Sequence, residues 1–155
     1  ILPQNIRLAL LEWLHTVPVQ VIFDSNYRPY LWEDCAMAQK IIAAFWQRAD
    51  ISLPSIDDEM DVFGETEAQV AQRFFTQAKS GALKRGARGP LSLGESVDAQ
   101  YEPVTEVLDT TAAGDSFNGG YLGALLSGKG QAAALQAGHA MAARVVQYRG
   151  AIIPK

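Results

Sequence analysis

Short apolar runs alternate with longer stretches of helical periodicity along this chain, and that alternation restricts the fold more than any other feature. Apolar runs typical of buried strands occupy residues 19–23, 50–54, 91–93 and 104–108. The spacing of apolar side chains predicts helices over residues 3–14, 36–49, 65–79, 114–127 and 131–148. The passage from Ser80 to Gly86 leaves few residues for a strand, which suggests a local deletion. Strands and helices in this order favour an α/β fold with a largely parallel sheet covered on both faces.

The composition is typical of a globular protein that binds neither nucleic acid nor a membrane. The chain has 155 residues, about the size of one domain, and a hydrophobic content of 48%. Thirteen Lys and Arg against seventeen Asp and Glu give a net charge of -4, without the basic block that a nucleic acid requires. No apolar run reaches the length of about 18 residues that predicts a membrane span.

The cysteine content suggests a cellular compartment for this protein, and the first residues suggest whether the sequence is a fragment. Cys35 is the only cysteine, so no intramolecular disulfide can form, and a reducing compartment, the cytoplasm, is expected. A charged segment followed by an apolar stretch is missing at the start, so we expect no signal peptide. Residues 1–3 are typical of the middle of a fold, which predicts a fragment of a longer protein. A homo-oligomer is compatible with the sequence.

The segment with the most chemical information is Asp109–Phe117, whose sequence is DTTAAGDSF and which precedes an Ala/Gly/Leu-rich helix. Small residues at a helix start let successive backbone N–H groups face one concavity, where the helix dipole also favours an anion. A carboxylate there, Asp115, can remove a proton from a hydroxyl while the N–H groups stabilise a transferred phosphoryl group. In the alternative, Asp115 only complements the helix dipole and the small residues serve packing.

The string DTTAAGDSF resembles the second signature of the ribokinase-like carbohydrate kinases, the PfkB family. Within the family, 2-keto-3-deoxygluconate kinases are most similar, through the segments Phe23–Pro29 with Leu31 and Trp32, Leu53–Pro54 with Asp57–Glu59, Lys84–Gly86 and Tyr148–Ala151. The resemblance implies a ribokinase-like three-layer α/β/α fold with a mainly parallel sheet. It covers only the carboxyl-terminal half of that fold. Residues 1–155 are therefore expected to be the carboxyl-terminal part of a single kinase domain, without the amino-terminal half and the lid.

The resemblance also implies ATP as phosphoryl donor, Mg²⁺ bridging its phosphates, and roles for the signature residues. Asp115 corresponds to the catalytic base, and the backbone of Ala112, Ala113 and Gly114 to the anion hole. The commoner signature has glycine at the position of Ala112, and alanine is still small enough to leave the N–H groups accessible.

The family motif Asn-x-x-Glu, which helps to organise magnesium, aligns with residues 55–58. Ser55 and Asp58 therefore occupy its ends, and Glu59 is their neighbour. The resemblance implies that Ser55 lies near the nucleotide and that Asp58 and Glu59 lie near the metal.

Further positions resemble nucleotide-binding residues of the family. Lys84, Gly86 and Gly89 follow a strand where these kinases approach the nucleotide phosphates. His139 matches a position near the nucleotide base, and the small residues around it leave room for a flat ring. In the alternative, this stretch serves close helix packing and His139 is a structural histidine.

Arg28 carries a separate argument about the substrate. A planar guanidinium at the carboxyl end of a strand can bind a carboxylate through two parallel hydrogen bonds. A 2-keto-3-deoxy acid has a carboxylate, whereas ribose and fructose have none. Asp24 and Asn26 are expected beside Arg28 and Asp115 in the substrate site, although both can equally be turn formers and Arg28 a solvated surface group.

The sequence thus predicts a sugar-acid kinase that phosphorylates 2-keto-3-deoxygluconate to 2-keto-3-deoxy-6-phosphogluconate. Two alternatives remain open. One is another PfkB sugar kinase, similar to ribokinase or fructokinase, and the other is a truncated nucleotide-binding fragment without activity of its own.

Overall fold

The computed structural model describes residues 3–104 and 106–153 of the chain. They divide into two compact units, of which the first ends at Leu83 and the second begins at Lys84.

The first unit contains, among the described residues, a parallel three-stranded arrangement and four helices. Its strands are β1 (Ile22–Phe23), β2 (Ile51–Ser52) and β3 (Gly81–Leu83). Its helices are α1 (Gln4–Thr16), α2 (Cys35–Arg48), α3 (Ile56–Phe63) and α4 (Glu67–Gln77). Ile22 pairs with Ile51 across β1 and β2, and Ser52 pairs with Gly81 across β2 and β3. The loop after β1 leads into one 3₁₀ turn, Pro29–Leu31.

Local capping explains where two of these helices, α2 and α4, begin. The Asp34 side chain accepts a hydrogen bond from the Met37 N–H at 2.7 Å and so caps the start of α2. Thr66 and Gln69 form a reciprocal capping box at the start of α4. The predicted helices 36–49 and 65–79 are confirmed with small shifts of their ends, whereas α3 was not predicted.

The third strand begins where two backbones approach closely. A Cβ atom at Gly81 would lie 1.8 Å from the Ser52 carbonyl oxygen, and Gly81 has a φ of +137°. Only glycine fits this position. The strand comprises three residues, which accounts for the tight passage after Ser80.

The core of the first unit gathers around an aromatic cluster. The Trp46 ring of α2 packs edge-on against Phe23 of β1 at a centroid distance of 4.5 Å and against Phe74 of α4 at 5.1 Å. Fully buried aliphatic side chains surround this cluster, among them Ile41, Ile42, Leu53, Ile56, Val62 and Val70. The cluster joins β1, α2 and α4 beneath the loop that follows β1.

The second unit is built on two closely packed helices, α5 (Ala113–Leu126) and α6 (Gln131–Val145), together with the strand β4 (Leu91–Leu93). A Cβ atom at Gly120 would lie 2.5 Å from the Ala137 carbonyl oxygen, and one at Gly138 would lie 2.9 Å from the Phe117 ring. These glycines let the two helices approach closely. The predicted helices 114–127 and 131–148 are confirmed, although α6 ends at Val145.

The predicted strand over residues 104–108 is wrong for the residues that the structure describes. Residues 104 and 106–108 form no strand, and Thr105 lies outside the described residues. The N–H groups of Leu108 and Asp109 instead donate to the Val146 carbonyl oxygen at 2.8 and 3.2 Å. This segment is thus hydrogen-bonded to the end of α6, and not to a neighbouring strand of a sheet.

Across residues 3–104 and 106–153, none of the helices has the length and apolar character that crossing a membrane requires.

Candidate functional site

The first turn of α5 leaves backbone donors without internal partners. Ala112 adopts a left-handed conformation with φ of +60°, and α5 begins at the next residue. The Ala113 N–H donates to the Thr110 carbonyl oxygen at 3.1 Å. The N–H groups of Ala112, Gly114 and Asp115 donate to none of the described residues. Since these groups lie at the positive end of the helix dipole, they can accept an anion from outside the chain.

This geometry corrects one part of the predicted anion hole. The Ala113 N–H is already engaged with Thr110, so it is not available in this conformation. The N–H group of Asp115, which the sequence did not single out, joins those of Ala112 and Gly114.

A carboxylate and an ammonium group lie at the same helix end. Asp115 is exposed in the first turn of α5, and its carboxylate accepts no hydrogen bond from the described residues. The Lys84 Nζ atom lies 3.6 Å from the point where a Cβ atom of Gly114 would be, and it donates to the Asn118 Oδ1 atom at 3.2 Å. The arrangement can stabilise an anion and can take up a proton from a hydroxyl group.

Asp109 connects the start of the DTTAAGDSF segment to the end of the chain. Its Oδ1 atom accepts from the Thr111 N–H at 2.8 Å, and its Oδ2 atom accepts from the Gly150 N–H at 2.8 Å. The hydrogen bonds from Gly150 and Thr111 lower the pKa of Asp109 to about 2. Two segments that carry the family resemblance therefore meet here, a contact that the sequence did not predict.

The loop after Lys84 contains the glycines predicted to approach the nucleotide. Gly86 opens a 3₁₀ turn that ends at Arg88, and Gly89 follows with φ of +72°. The Arg85 Nε atom donates to the Gly89 carbonyl oxygen at 3.1 Å and so closes the loop.

Beside this loop lies a cleft of about 400 Å³ that the sequence did not indicate. Arg88 and Tyr101 contribute to its lining, and a Cβ atom on Gly89 would lie 2.4 Å from the Tyr101 ring. Gly89 is thus the residue that lets Tyr101 approach the loop.

His139 makes contacts that suit a structural histidine. It is buried, its Nε2 atom lies 2.8 Å from the Glu102 carbonyl oxygen, and its ring centroid lies 5.0 Å from that of Tyr101. The preceding residue, Gly138, packs directly against Phe117. Close helix packing accounts for the Gly138 contact, and the Glu102 carbonyl oxygen satisfies the histidine; the role of His139 near the nucleotide stays a prediction.

In the first unit, the loop after β1 carries Asp24, Asn26 and Arg28. The Asn26 N–H donates to the Asp24 Oδ1 atom at 3.1 Å, and Asn26 has φ of +38°, so Asp24 does act as a turn former. The Arg28 Nη1 atom donates to the Tyr27 carbonyl oxygen at 2.6 Å and lies 3.6 Å from the Asp58 Oδ1 atom. The Nε and Nη2 atoms of Arg28 donate to none of the described residues, and its side chain is 45% exposed. Arg28 thus presents a two-donor edge of the kind that binds a carboxylate.

The predicted metal ligand Glu59 does not fit that role. Its side chain is fully buried, and its oxygens accept from the Ser25 Oγ–H at 2.8 Å, the Trp46 Nε1–H at 3.2 Å and the Arg73 Nη2–H at 3.1 Å. Burial raises the pKa of Glu59, and these hydrogen bonds together with the Arg73 charge oppose that shift. Because these donors and the Arg73 guanidinium already engage the buried Glu59 carboxylate, it is not placed to bind a metal ion.

The neighbouring positions of the aligned motif behave differently from Glu59. Ser55 precedes α3, and its side chain makes no hydrogen bond with the described residues, while Asp58 lies close to Arg28. Within the described ranges, no group of three or more His, Cys, Asp or Glu side chains is placed to hold a metal ion. The sequence did carry a signal for the fate of Glu59, because it shares the buried face of α3 with Ile56 and Val62.

The predicted residues therefore gather in two groups. Asp115, Gly114 and Lys84 come together in the second unit. Arg28, Asp58 and the loop after β1 come together in the first.

Comparison with known proteins gives the chain a family. A sequence profile of the pfkB family carbohydrate kinase matches residues 1–155. The chain belongs to this family. It is 39% identical over 155 residues to the 2-dehydro-3-deoxygluconokinase of Escherichia coli strain K12, an alignment that covers 96% of this chain and 50% of the relative.

Solved structures of family members share the fold. Ribokinase from Thermotoga maritima aligns with a TM-score of 0.66 and 32% identity, covering 92% of this chain and 47% of that one. An Escherichia coli protein solved in complex with ATP and Mg²⁺ aligns with a TM-score of 0.73 and 25% identity, covering 91% and 46%. The predicted ribokinase-like fold is confirmed. The chain spans about half the length of the relatives that it matches.

Proposed function

We propose that the kinase domain to which this chain contributes transfers the γ-phosphoryl group of ATP to the primary hydroxyl of 2-keto-3-deoxygluconate, which gives 2-keto-3-deoxy-6-phosphogluconate. Residues 1–155 form the carboxyl-terminal part of that domain. The observation that carries the proposal is the first turn of α5, where unpartnered N–H groups lie beside an exposed carboxylate in a pfkB family member.

In this mechanism Asp115 is the catalytic base. It takes the proton of the acceptor hydroxyl as the hydroxyl oxygen bonds to phosphorus and the bond to the β-phosphate oxygen breaks. The N–H groups of Ala112, Gly114 and Asp115 stabilise the charge on the transferred group. Ala113 contributes the turn that orients these donors, since its own N–H is bonded to Thr110.

The nucleotide phosphates are assigned to the loop after Lys84 and to the start of α5. Lys84 supplies a positive charge next to Gly114, and Gly86 and Gly89 keep the loop backbone approachable. His139 is assigned to the nucleotide site through its ring contact with Tyr101. Ser55, in the first unit, is also assigned to nucleotide binding. Mg²⁺ would neutralise the phosphates. Of the predicted metal ligands only Asp58 remains open to this role, because Glu59 is enclosed by donors.

The acceptor is assigned to the loop after β1. The Nε and Nη2 donors of Arg28 match the carboxylate of a sugar acid, which a neutral sugar lacks. Asn26, held by its hydrogen bond to Asp24, contributes an amide for acceptor hydroxyls. The 39% identity to the Escherichia coli 2-dehydro-3-deoxygluconokinase supports the same acceptor class.

The reaction is proposed for the cytoplasm, since a single cysteine excludes an intramolecular disulfide. A homo-oligomer is compatible with the proposal. The competing functions are phosphorylation of a neutral sugar, as in ribokinase or fructokinase, and nucleotide binding without turnover.

A substrate comparison on the full-length enzyme tests the proposal. ADP release from ATP and Mg²⁺ is followed with 2-keto-3-deoxygluconate, ribose or fructose as acceptor, and the isolated 155-residue chain is assayed in parallel. We expect the sugar acid to have the highest kcat/KM. Preference for a neutral sugar would support the first alternative, and ATP binding without turnover on any acceptor would support the second.

A further inference from the structure

A buried carboxylate of α3 holds the loop that carries Arg28. Glu59 is fully buried, and it accepts a hydrogen bond from the Ser25 hydroxyl at 2.8 Å. Ser25 lies between Asp24 and Asn26, and the loop continues to Arg28. We propose that Glu59 is a positioning residue that orders residues 24–28 through Ser25, so that Arg28 is preorganised for the carboxylate of the acceptor. This inference rests on the proposed function.

The surroundings of Glu59 indicate a task beyond filling the core. A buried carboxylate is costly unless it is paired and hydrogen-bonded, and an apolar side chain of similar size is often the more stabilising choice. Two hydrogen bonds to the Glu59 carboxylate offset this cost, from the Trp46 Nε1–H of α2 at 3.2 Å and from the Arg73 Nη2–H of α4 at 3.1 Å. Arg73 also pairs with Glu65 at 2.7 Å, which fixes the guanidinium on its other side. Two helices thus hold the carboxylate while it receives the loop hydroxyl.

The loop contains one residue in a less favoured backbone conformation. Asn26 has φ of +38°, in the left-handed region that asparagine tolerates better than most non-glycine residues. Its local hydrogen bond to Asp24, at 3.1 Å, is weaker than a contact to a buried charge. The Ser25–Glu59 bond has an ordinary length of 2.8 Å, and its carboxylate is anchored from two other elements. It is therefore the contact best placed to stabilise the turn.

A second contact joins the same helix turn to the loop. The Asp58 Oδ1 atom lies 3.6 Å from the Arg28 Nη1 atom, the nitrogen that also donates to the Tyr27 carbonyl oxygen. Adjacent residues of α3 therefore contact the loop at Ser25 and at Arg28. Together they limit the orientations in which the Nε and Nη2 donors are presented, and such preorganisation lowers the cost of binding.

Serine 25 offers the cleanest test, because its replacement leaves the Glu59–Arg73 pair intact. In the full-length enzyme we expect Ser25→Ala to raise the KM for 2-keto-3-deoxygluconate about tenfold, the loss of one hydrogen bond to a charged group. The KM for ATP should not change. Ser25→Thr keeps the hydroxyl and should restore the parent KM. As a matched control, Asp57→Asn removes a neighbouring exposed acid of α3 and should leave both constants unchanged.

Amide hydrogen exchange supplies a readout independent of turnover. In Ser25→Ala the amides of residues 24–28 should exchange faster than in the parent, while those of α2 and α4 should not. In a double-mutant cycle, Glu59→Gln with Ser25→Ala should raise the sugar-acid KM no further than the larger single effect.

Two results would overturn the inference. One is an unchanged exchange rate over residues 24–28 in Ser25→Ala, and the other is an equal rise of KM for ATP and for the sugar acid. A parent enzyme that does not act on 2-keto-3-deoxygluconate would contradict only the proposed function, because the exchange comparison still decides whether Glu59 orders the loop.

Discussion

Replacing Gly114 by valine tests whether phosphate binds at the first turn of α5. A Cβ atom at Gly114 would have only the Lys84 Nζ atom within 4 Å, at 3.6 Å, and the φ of Gly114 lies outside the left-handed region. A valine side chain therefore fits the fold, since the end of a lysine side chain can shift. Its methyl groups would occupy the space in front of the N–H groups of Gly114 and Asp115.

The expected effects on folding and on binding differ in size. In a helix, valine in place of glycine changes stability by only about 0.5 kcal/mol, in the favourable direction. Exclusion of phosphate oxygens from two backbone donors should weaken ATP binding at least about a hundredfold, or ~2.7 kcal/mol. Binding should thus be lost while the fold is kept.

Thermal unfolding of the full-length enzyme with and without ATP separates these effects. At an ATP concentration of about 100 times the parent Kd, the parent gains roughly 2.7 kcal/mol, since a ligand stabilises by RT ln(1 + [L]/Kd). A variant that binds a hundredfold more weakly gains only about 0.4 kcal/mol under the same conditions. Without ATP, the variant should unfold at a midpoint no lower than that of the parent.

Two other glycines of α5 serve as controls. Gly123 is exposed with no atom within 4 Å of its Cβ position, so Gly123→Val should keep both the midpoint and the ATP response. Gly120→Ala would place a Cβ atom 2.5 Å from the Ala137 carbonyl oxygen, so it should lower the midpoint by an overpacking cost of about 1–3 kcal/mol.

Retained ATP stabilisation and turnover in Gly114→Val would refute the reasoning, because the first turn of α5 would then be an ordinary helix start. A midpoint as low as that of Gly120→Ala would show instead that the variant disturbs folding.

Three further predictions concern single residues. Asp115→Asn should lower kcat by about 10² to 10⁴ while ATP still stabilises the protein, and steady-state activity within a few-fold of the parent would remove Asp115 from the mechanism. Calorimetry should find sugar-acid binding to Arg28→Ala weaker by about 1.5 to 3 kcal/mol, and neutral-sugar binding far less affected; equal losses would make Arg28 structural. Asp109→Asn should lower the thermal midpoint near neutral pH, because the Gly150 N–H loses a charged acceptor. The pKa of Asp109 is lowered to about 2 in the folded chain, so the ionised carboxylate contributes its full stabilisation above pH ~4 and loses it as the pH falls through about 2. The difference in thermal midpoint between the parent and Asp109→Asn should therefore narrow in acid, and a constant difference would contradict this prediction.

Local sequence patterns were enough to predict most helices of the chain. The break at residues 128–130 separates α5 from α6, and the apolar periodicity places both within a few residues of their ends. Helix α3 was missed although its signals were present, namely three acidic residues in its first turn and Gly64 with φ of +65° at its end.

The sequence alone also predicts an anion-binding helix start in the DTTAAGDSF segment, since small residues before a helix and a carboxylate in its first turn are local features. It does not predict which N–H groups of the segment lack partners among the described residues. The Ala113 N–H closes a turn onto Thr110, and Ala112 takes a left-handed conformation. Backbone geometry of this kind follows from the packing of the whole segment.

The hydrogen-bond partners of the carboxylates were decided by tertiary structure, although the position of Glu59 on the apolar face of α3 already indicated its burial. Glu59 accepts hydrogen bonds from Ser25, Trp46 and Arg73, which lie 34, 13 and 14 residues away from it in the sequence. Asp109 meets Gly150 from 41 residues away. Spacing along the chain encodes helix faces and turns, because those depend on neighbours within a few residues. Burial and pairing of a charge depend on elements that only the folded chain brings together, so one carboxylate, Glu59, is buried among donors and another, Asp115, is exposed at a helix start.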